Sequence, residues 1–130
     1  MRIALLQHGF REATDPERAD FYLINSCSFI REAQEETIET VFAALKLKER
    51  KAPQMKVGLI GCFAERFPDA VRKEIPELDF VLGTQRYHEV GALLARRFGI
   101  QARHQAEVSA ASTCPDFSKP FAWLRIAQGC

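Results

Sequence analysis

The chain has 130 residues, 47% of them hydrophobic, which is enough for one domain with a substantial core and too few for two large domains. Its 18 Lys and Arg residues nearly balance 17 Asp and Glu residues, so charge does not indicate direct nucleic-acid binding. No stretch approaches the roughly 20 apolar residues of a membrane helix, and residues 1–10 lack a signal-peptide cleavage site. We therefore expect a cytoplasmic protein without a membrane partner.

The first half of the chain predicts a helix, a strand and a long second helix. Residues 1–8 are typical of the end of a helix, with a glycine as its stop. The apolar run FYLI at residues 21–24 is typical of a buried strand, and it ends at Asn25-Ser26-Cys27. Apolar residues at helical spacing over 30–51 predict the long helix, for which Ser28 is a candidate N-cap.

The second half continues the alternation of strands and helices. The predicted elements are a strand over 56–60, a helical connection over 63–75 that breaks near Pro68, a strand over 80–82 and an amphipathic helix over 87–98. This alternation predicts an α/β fold with an open parallel sheet, right-handed crossovers and flanking helices. Because no strand precedes the first helix, we expect the sheet to lack its first strand.

Composition divides the chain into three predicted regions. Residues 1–100 carry the alternating elements and are expected to form one incomplete domain. Residues 101–119, in which Ala, Ser, Thr, Pro and Gln dominate, predict an interdomain linker. Residues 120–130 resume a strand pattern, and a lone strand does not fold by itself. We therefore expect these last residues to begin a further domain that is truncated here.

The positions of Cys27 and Cys62 carry the strongest indication of function. Each cysteine ends an apolar strand. Binding sites in open parallel sheets lie outside the carboxyl ends of the strands, so these two thiols can meet although many residues separate them. Four cysteines without a signal peptide favour ligation or catalysis over disulfides. The pattern indicates a metal or cluster site, with small apolar core residues as the alternative.

Three sequence blocks resemble the methylthiotransferase family, in the family's order. The first, Asn25-Ser26-Cys27-Ser28-Phe29-Ile30 with Ala33 and Glu36-Thr37, is similar to the signature N-T-C-G-F-I-x-x-A-x-x-E-S. The second consists of GCFAERF at 61–67, EIPELD at 74–79 and Gly83-Thr84. The third, residues 121–130, resembles the strand that leads into the radical-SAM motif G-C-x-x-x-C-x-x-C. The resemblance covers the whole chain.

The resemblance implies a transferase with two 4Fe-4S clusters that uses S-adenosylmethionine. In that family pattern, Cys27 and Cys62 are two of three ligands of an auxiliary cluster, and Cys130 is the first of three ligands of the radical-SAM cluster. The other ligands are absent from the sequence, so we expect these 130 residues to be inactive alone. No catalytic residue is assigned, and Cys114 matches no block.

Within the family, Phe29-Ile30 and the EIPE sequence at 74–77 are closest to members that add a methylthio group to an aspartate of a small-subunit ribosomal protein. This implies that protein as the substrate, and contact with the ribosome. Two alternatives stay open: a fragment of a tRNA-adenosine methylthiotransferase, and a non-catalytic remnant that binds thiols or metals. Asn25 and Thr84 stand at strand ends, where they either line the site or cap the next helix.

Overall fold

The structure is a computed structural model that describes residues 2–99. The elements in chain order are α1 (Arg2–Gln7), a 3-10 turn (Pro16–Arg18), β1 (Phe21–Ser26), α2 (Arg31–Arg50), β2 (Lys56–Gly61), α3 (Cys62–Arg66), α4 (Pro68–Glu74), β3 (Phe80–Leu82), a 3-10 segment (Thr84–Glu89) and α5 (Val90–Phe98). The predicted linker, the last strand, Cys114 and Cys130 lie outside the described residues. Within the described part, no helix is long and apolar enough to cross a membrane.

The three strands form one parallel sheet in the order β1-β2-β3. Along β1 and β2 the register runs from the pair Phe21 and Lys56 to the pair Ser26 and Gly61. Strand β3 continues the sheet on the other side of β2, where Phe80 pairs with Gly58. The prediction of an α/β fold with an open parallel sheet and flanking helices is therefore confirmed.

Of the described residues, 12–87 form one compact unit, which contains the sheet. In this unit α2 contacts β1 and β2, while α3 contacts all three strands and α4 contacts β3. Apolar side chains from these elements form a continuous buried core, made up of Ile24, Val41, Ala44, Ala52, Met55, Val57, Leu59, Ala64, Val71 and Ile75. The core thus holds the strands in register beneath the edge where they end.

The predicted break near Pro68 is confirmed by the change from α3 to α4. Phe67 leaves the helical region, with φ −127° and ψ 46°, and Pro68 is the first residue of α4. Proline suits that position because its backbone has no N–H to donate and its φ is already helical. The short α3 is therefore a separate element that begins at Cys62.

Residues 2–11 and 88–99 form the second compact unit, in which α1 contacts α5. A Cβ atom at Gly91 would overlap the carbonyl oxygen of Ala4, so the close approach of the two helices requires glycine there. Gly9, with φ 82°, follows α1 as the predicted stop. Helix α5 begins at Val90 instead of residue 87, because a 3-10 segment occupies the intervening residues.

Candidate functional site

The cysteine-bearing ends of β1 and β2 lie side by side at the carboxyl edge of the sheet. Ser26 and Gly61 are register partners in the parallel ladder, and Cys27 and Cys62 are the next residues of the two segments. Neighbouring strands in a sheet are about 4.8 Å apart. The structure thus brings together two chain segments that are distant in sequence and that both carry a thiol.

Gly61 makes the turn from β2 into α3 possible. Its backbone adopts φ 114° and ψ −164°, a region that is essentially restricted to glycine. A Cβ atom there would overlap the carbonyl oxygen of Ser26 and lie 2.9 Å from the Ser26 amide nitrogen. Glycine therefore allows the chain to turn directly beside β1, which makes Cys62 the first residue of α3.

Cys27 belongs to an extended segment that continues the alternation of β1 past the end of the strand. Buried and exposed residues alternate from 24 to 29, with Ile24, Ser26 and Ser28 buried and Asn25, Cys27 and Phe29 exposed. Side chains two residues apart share one face of an extended chain. Cys27 therefore lies on the same exposed face as Asn25, and Phe29, where the chain bends, is 84% exposed.

The buried face of this segment is anchored by hydrogen bonds. The Ser26 hydroxyl donates to the carbonyl oxygen of Ile60 at 2.7 Å. The Ser28 carbonyl oxygen accepts from the Gln34 side-chain amide at 3.0 Å. Ser28 is fully buried and is not the N-cap of α2: that position is Ile30, which makes no side-chain capping bond. The predicted capping role was wrong because the strand-like alternation extends through Ser28.

On the exposed face, Asn25 is bonded to a residue beyond β3. The Tyr87 hydroxyl donates to Oδ1 of Asn25 at 2.5 Å. Asn25 also lines a cavity of about 320 Å³ together with Cys27 and residues of α2 that include Ala33 and Thr37. Asn25 is thus part of the surroundings of Cys27, one of the two roles that its position at a strand end allows.

Cys62 is half-buried and lines a different cavity, of about 300 Å³, with Glu65, Arg66 and Thr84. The Arg66 guanidinium lies over the Phe67 ring, 5.2 Å from its centroid, and Nη1 is 3.5 Å from the Ser28 carbonyl oxygen. Thr84 is buried and lines this cavity, so the second strand-end residue also belongs to the surroundings of a cysteine. The two thiols therefore start from adjacent strand ends but line separate cavities.

The donor chemistry of this edge fits part of an iron–sulfur site. Neither Cys27 nor Cys62 forms a disulfide, and thiolates are the usual ligands of iron–sulfur clusters. Among residues 2–99, no group of three or more His, Cys, Asp or Glu side chains could hold a metal ion. The described residues thus offer two suitable thiols and not a complete ligand set.

Sequence reasoning did not find Tyr87 or Gln34, whose side chains hold the Cys27 segment. Tyr87 was expected only as the start of a helix, and its partner is 62 residues away. Gln34 stands at an unspecified position of the first sequence block. Arg66, which also contacts the Cys27 segment at the Ser28 carbonyl oxygen, did carry a sequence signal, because it belongs to the second cysteine block.

Comparison with known proteins gives the family. Residues 1–83 match the model described as "Uncharacterized protein family UPF0004". The chain belongs to family UPF0004. The UPF0004 match includes all three strands of the sheet, and Cys27 and Cys62 with them.

The similar proteins include several with the name "Ribosomal protein uS12 methylthiotransferase RimO". That of Leptospira biflexa is 31% identical over 100% of this chain, that of Sulfurihydrogenibium sp. 33% over 97%, and that of Chloroherpeton thalassium 36% over 91%. The chain spans only 30%, 27% and 25% of the lengths of these three relatives. The matches confirm the resemblance of this UPF0004 chain to the methylthiotransferases, and to RimO among them.

Proposed function

We propose that this chain is the N-terminal part of a radical-SAM methylthiotransferase that adds a methylthio group to an aspartate of ribosomal protein uS12. One coincidence carries the proposal. The two cysteines that follow the register partners Ser26 and Gly61 lie within the UPF0004 match, and RimO proteins align with 91–100% of the chain around them.

In this proposal Cys27 and Cys62 are two of the three ligands of an auxiliary 4Fe-4S cluster. Two observations support this ligand role: both donors are thiols, and they follow adjacent strand ends, where parallel sheets place binding sites. When bound, that cluster supplies or carries sulfur for the transfer. Cys130, outside the described residues, is proposed as the first ligand of the second cluster, which cleaves S-adenosylmethionine.

The proposal includes a domain organisation and a setting in the cell. Residues 1–100 form the methylthiotransferase N-terminal domain, residues 101–119 a linker, and residues 120–130 the start of the radical-SAM domain. The substrate is uS12, the protein that the names of the relatives specify. A ribosomal substrate implies contact with the small ribosomal subunit and a cytoplasmic location.

A chimera tests the proposed substrate. The segment of the Leptospira biflexa relative that aligns with this chain is replaced by these 130 residues, and the rest of the relative is kept. The purified chimera is reconstituted with iron and sulfide and is then incubated anaerobically with S-adenosylmethionine, sulfide, a reductant and either uS12 or unmodified tRNA. We expect mass spectrometry to detect one added methylthio group on an aspartate of uS12, and none on adenosines of the tRNA. The unaltered relative is the positive control.

Two outcomes contradict the proposal. Modification of tRNA with uS12 left unmodified assigns the chain to a tRNA-adenosine enzyme. A folded chimera that modifies neither substrate, while the relative modifies uS12, identifies the chain as a non-catalytic remnant.

A further inference from the structure

We propose that Tyr87 is a positioning residue for Cys27, which it orders through the side chain of Asn25. The proposal deepens the proposed function and rests on it, because Cys27 serves there as a cluster ligand. In this role Tyr87 acts through Asn25 and not on the thiol directly. Its role is to keep the segment that presents the thiol in one extended conformation.

The geometry of the exposed face carries the proposal. The Tyr87 hydroxyl donates to Asn25 Oδ1 at 2.5 Å, across 62 residues of sequence. Asn25 lies two residues before Cys27 on the same exposed face, which is a separation of roughly 6.6 Å along an extended chain. The bond therefore joins the chain after β3 to a point close to the thiol.

Cys27 is exposed, so burial does not hold its side chain in place, and the order of the segment then depends on bonds of this kind. Anchors on the buried face, at Ser26 and Ser28, restrain the backbone from the other side. The net contribution of one hydrogen bond shifts a conformational equilibrium by roughly 2- to 12-fold. Because a ligand that is ordered before binding avoids the entropy cost of ordering it, loss of this bond weakens metal binding by a similar factor.

The order of the segment is measured by NMR relaxation on the 130-residue chain and on Tyr87→Phe, which removes only the hydroxyl. We expect the backbone order parameters of residues 25–29 to fall from about 0.85 towards about 0.6 in the variant. Those of β2 should stay unchanged. Tyr22→Phe is the matched control, since it removes the hydroxyl of the other tyrosine and leaves the bond to Asn25 intact.

A cobalt titration links this order to the ligand role. In a chain with Cys114→Ser and Cys130→Ser, Cys27 and Cys62 are the only thiols, and Co²⁺ bound to them gives thiolate-to-cobalt charge-transfer absorption. We expect Tyr87→Phe to weaken the apparent cobalt affinity roughly 2- to 12-fold. Asn25→Ala should weaken it equally, and the double variant should show no further loss, because the two residues act through one bond. Tyr22→Phe should bind like the parent chain.

The outcomes separate this proposal from the proposed function. Unchanged order parameters in Tyr87→Phe overturn the positioning role, whatever the titration shows. Lower order with unchanged cobalt affinity overturns it as well, because a purely structural bond behaves in that way. Absence of charge-transfer absorption in the parent chain overturns the two-thiol site of the proposed function, and the order parameters then decide alone whether Tyr87 orders the segment.

Discussion

The Asp79 carboxylate accepts a hydrogen bond from Lys48 Nζ at 2.6 Å, which joins the residue before β3 to the last part of α2. The atom that accepts from Lys48, Oδ2, also accepts a hydrogen bond from the Val57 backbone N–H at 2.8 Å. Lys56 Nζ lies 3.5 Å from the other carboxylate oxygen, Oδ1. Burial opposes ionisation of Asp79. The Lys48 and Val57 hydrogen bonds and the two ammonium charges outweigh it, so the pKa of Asp79 is lowered below its ordinary value of 3.8.

This lowered pKa predicts an acid-dependent loss of stability. The contribution of Asp79 is fully present above its unfolded-state pKa of 3.8 and disappears as the pH falls through the lower folded-state pKa. We expect Asp79→Ala to lower the free energy of unfolding by about 1.5–3 kcal/mol at pH 7. Urea unfolding of both proteins at a series of pH values measures the difference, which should shrink in acid.

The control for Asp79 is Asp69→Ala, because the Asp69 side chain is 99% exposed and lies 3.7 Å from Arg72. An exposed pair of this kind contributes about 0–1 kcal/mol. A difference between Asp79→Ala and the parent that stays constant from neutral to acidic pH would show that the Asp79 charge does not stabilise the fold.

Gly61→Ala, at the turn from β2 into α3, should destabilise the fold strongly. The backbone conformation at Gly61 costs other residues about 1–3 kcal/mol, and the overlap of the new Cβ with Ser26 adds about 1–3 kcal/mol. We therefore expect a loss of about 2–6 kcal/mol in the free energy of unfolding, measured by denaturant titration. Gly99→Ala is the control, since Gly99 also has positive φ but no atom within 4 Å of the added Cβ. Equal losses in the two variants would contradict the close packing of Gly61 on β1.

Ser26→Ala tests the bond that holds β1 against β2 just before the cysteines. It removes the buried hydroxyl that donates to Ile60 at 2.7 Å, and we expect a loss of about 1 kcal/mol in the free energy of unfolding. Thr40→Ala removes a hydroxyl bonded to a carbonyl of its own helix and should change stability by less than about 0.5 kcal/mol. Thermal unfolding measures the loss of stability in each variant. An equal loss in both would contradict the role of the Ser26 hydroxyl in holding β1 against β2.

Local patterns predicted most of the elements. The apolar run at 80–82 forms β3 at the same residues, and the helical spacing over 30–51 forms α2 over 31–50. Proline chemistry located the break between α3 and α4. These features depend on neighbours within a few residues, which is the information that hydrophobic periodicity carries.

The parts of the site that were missed depend on contacts between distant residues. The Tyr87 bond to Asn25 joins the 3-10 segment after β3 to the end of β1, and no spacing rule relates the two residues. Ser28 has the chemistry of a helix cap, but burial keeps it in the extended segment and α2 begins without a side-chain cap. The sequence also could not indicate that the adjacent thiols line separate cavities, because side-chain direction is set by packing.

The measurement that tests the central claim most directly is the iron content of the Leptospira biflexa chimera carrying Cys27→Ser, Cys62→Ser or both, after anaerobic reconstitution with iron and sulfide. If Cys27 and Cys62 ligate one of two 4Fe-4S clusters, each single variant should lose about half of the iron and the double variant no more than either single variant. Cys114→Ser should retain all of it. Full iron content in both single variants would contradict the claim that these two thiols share a cluster.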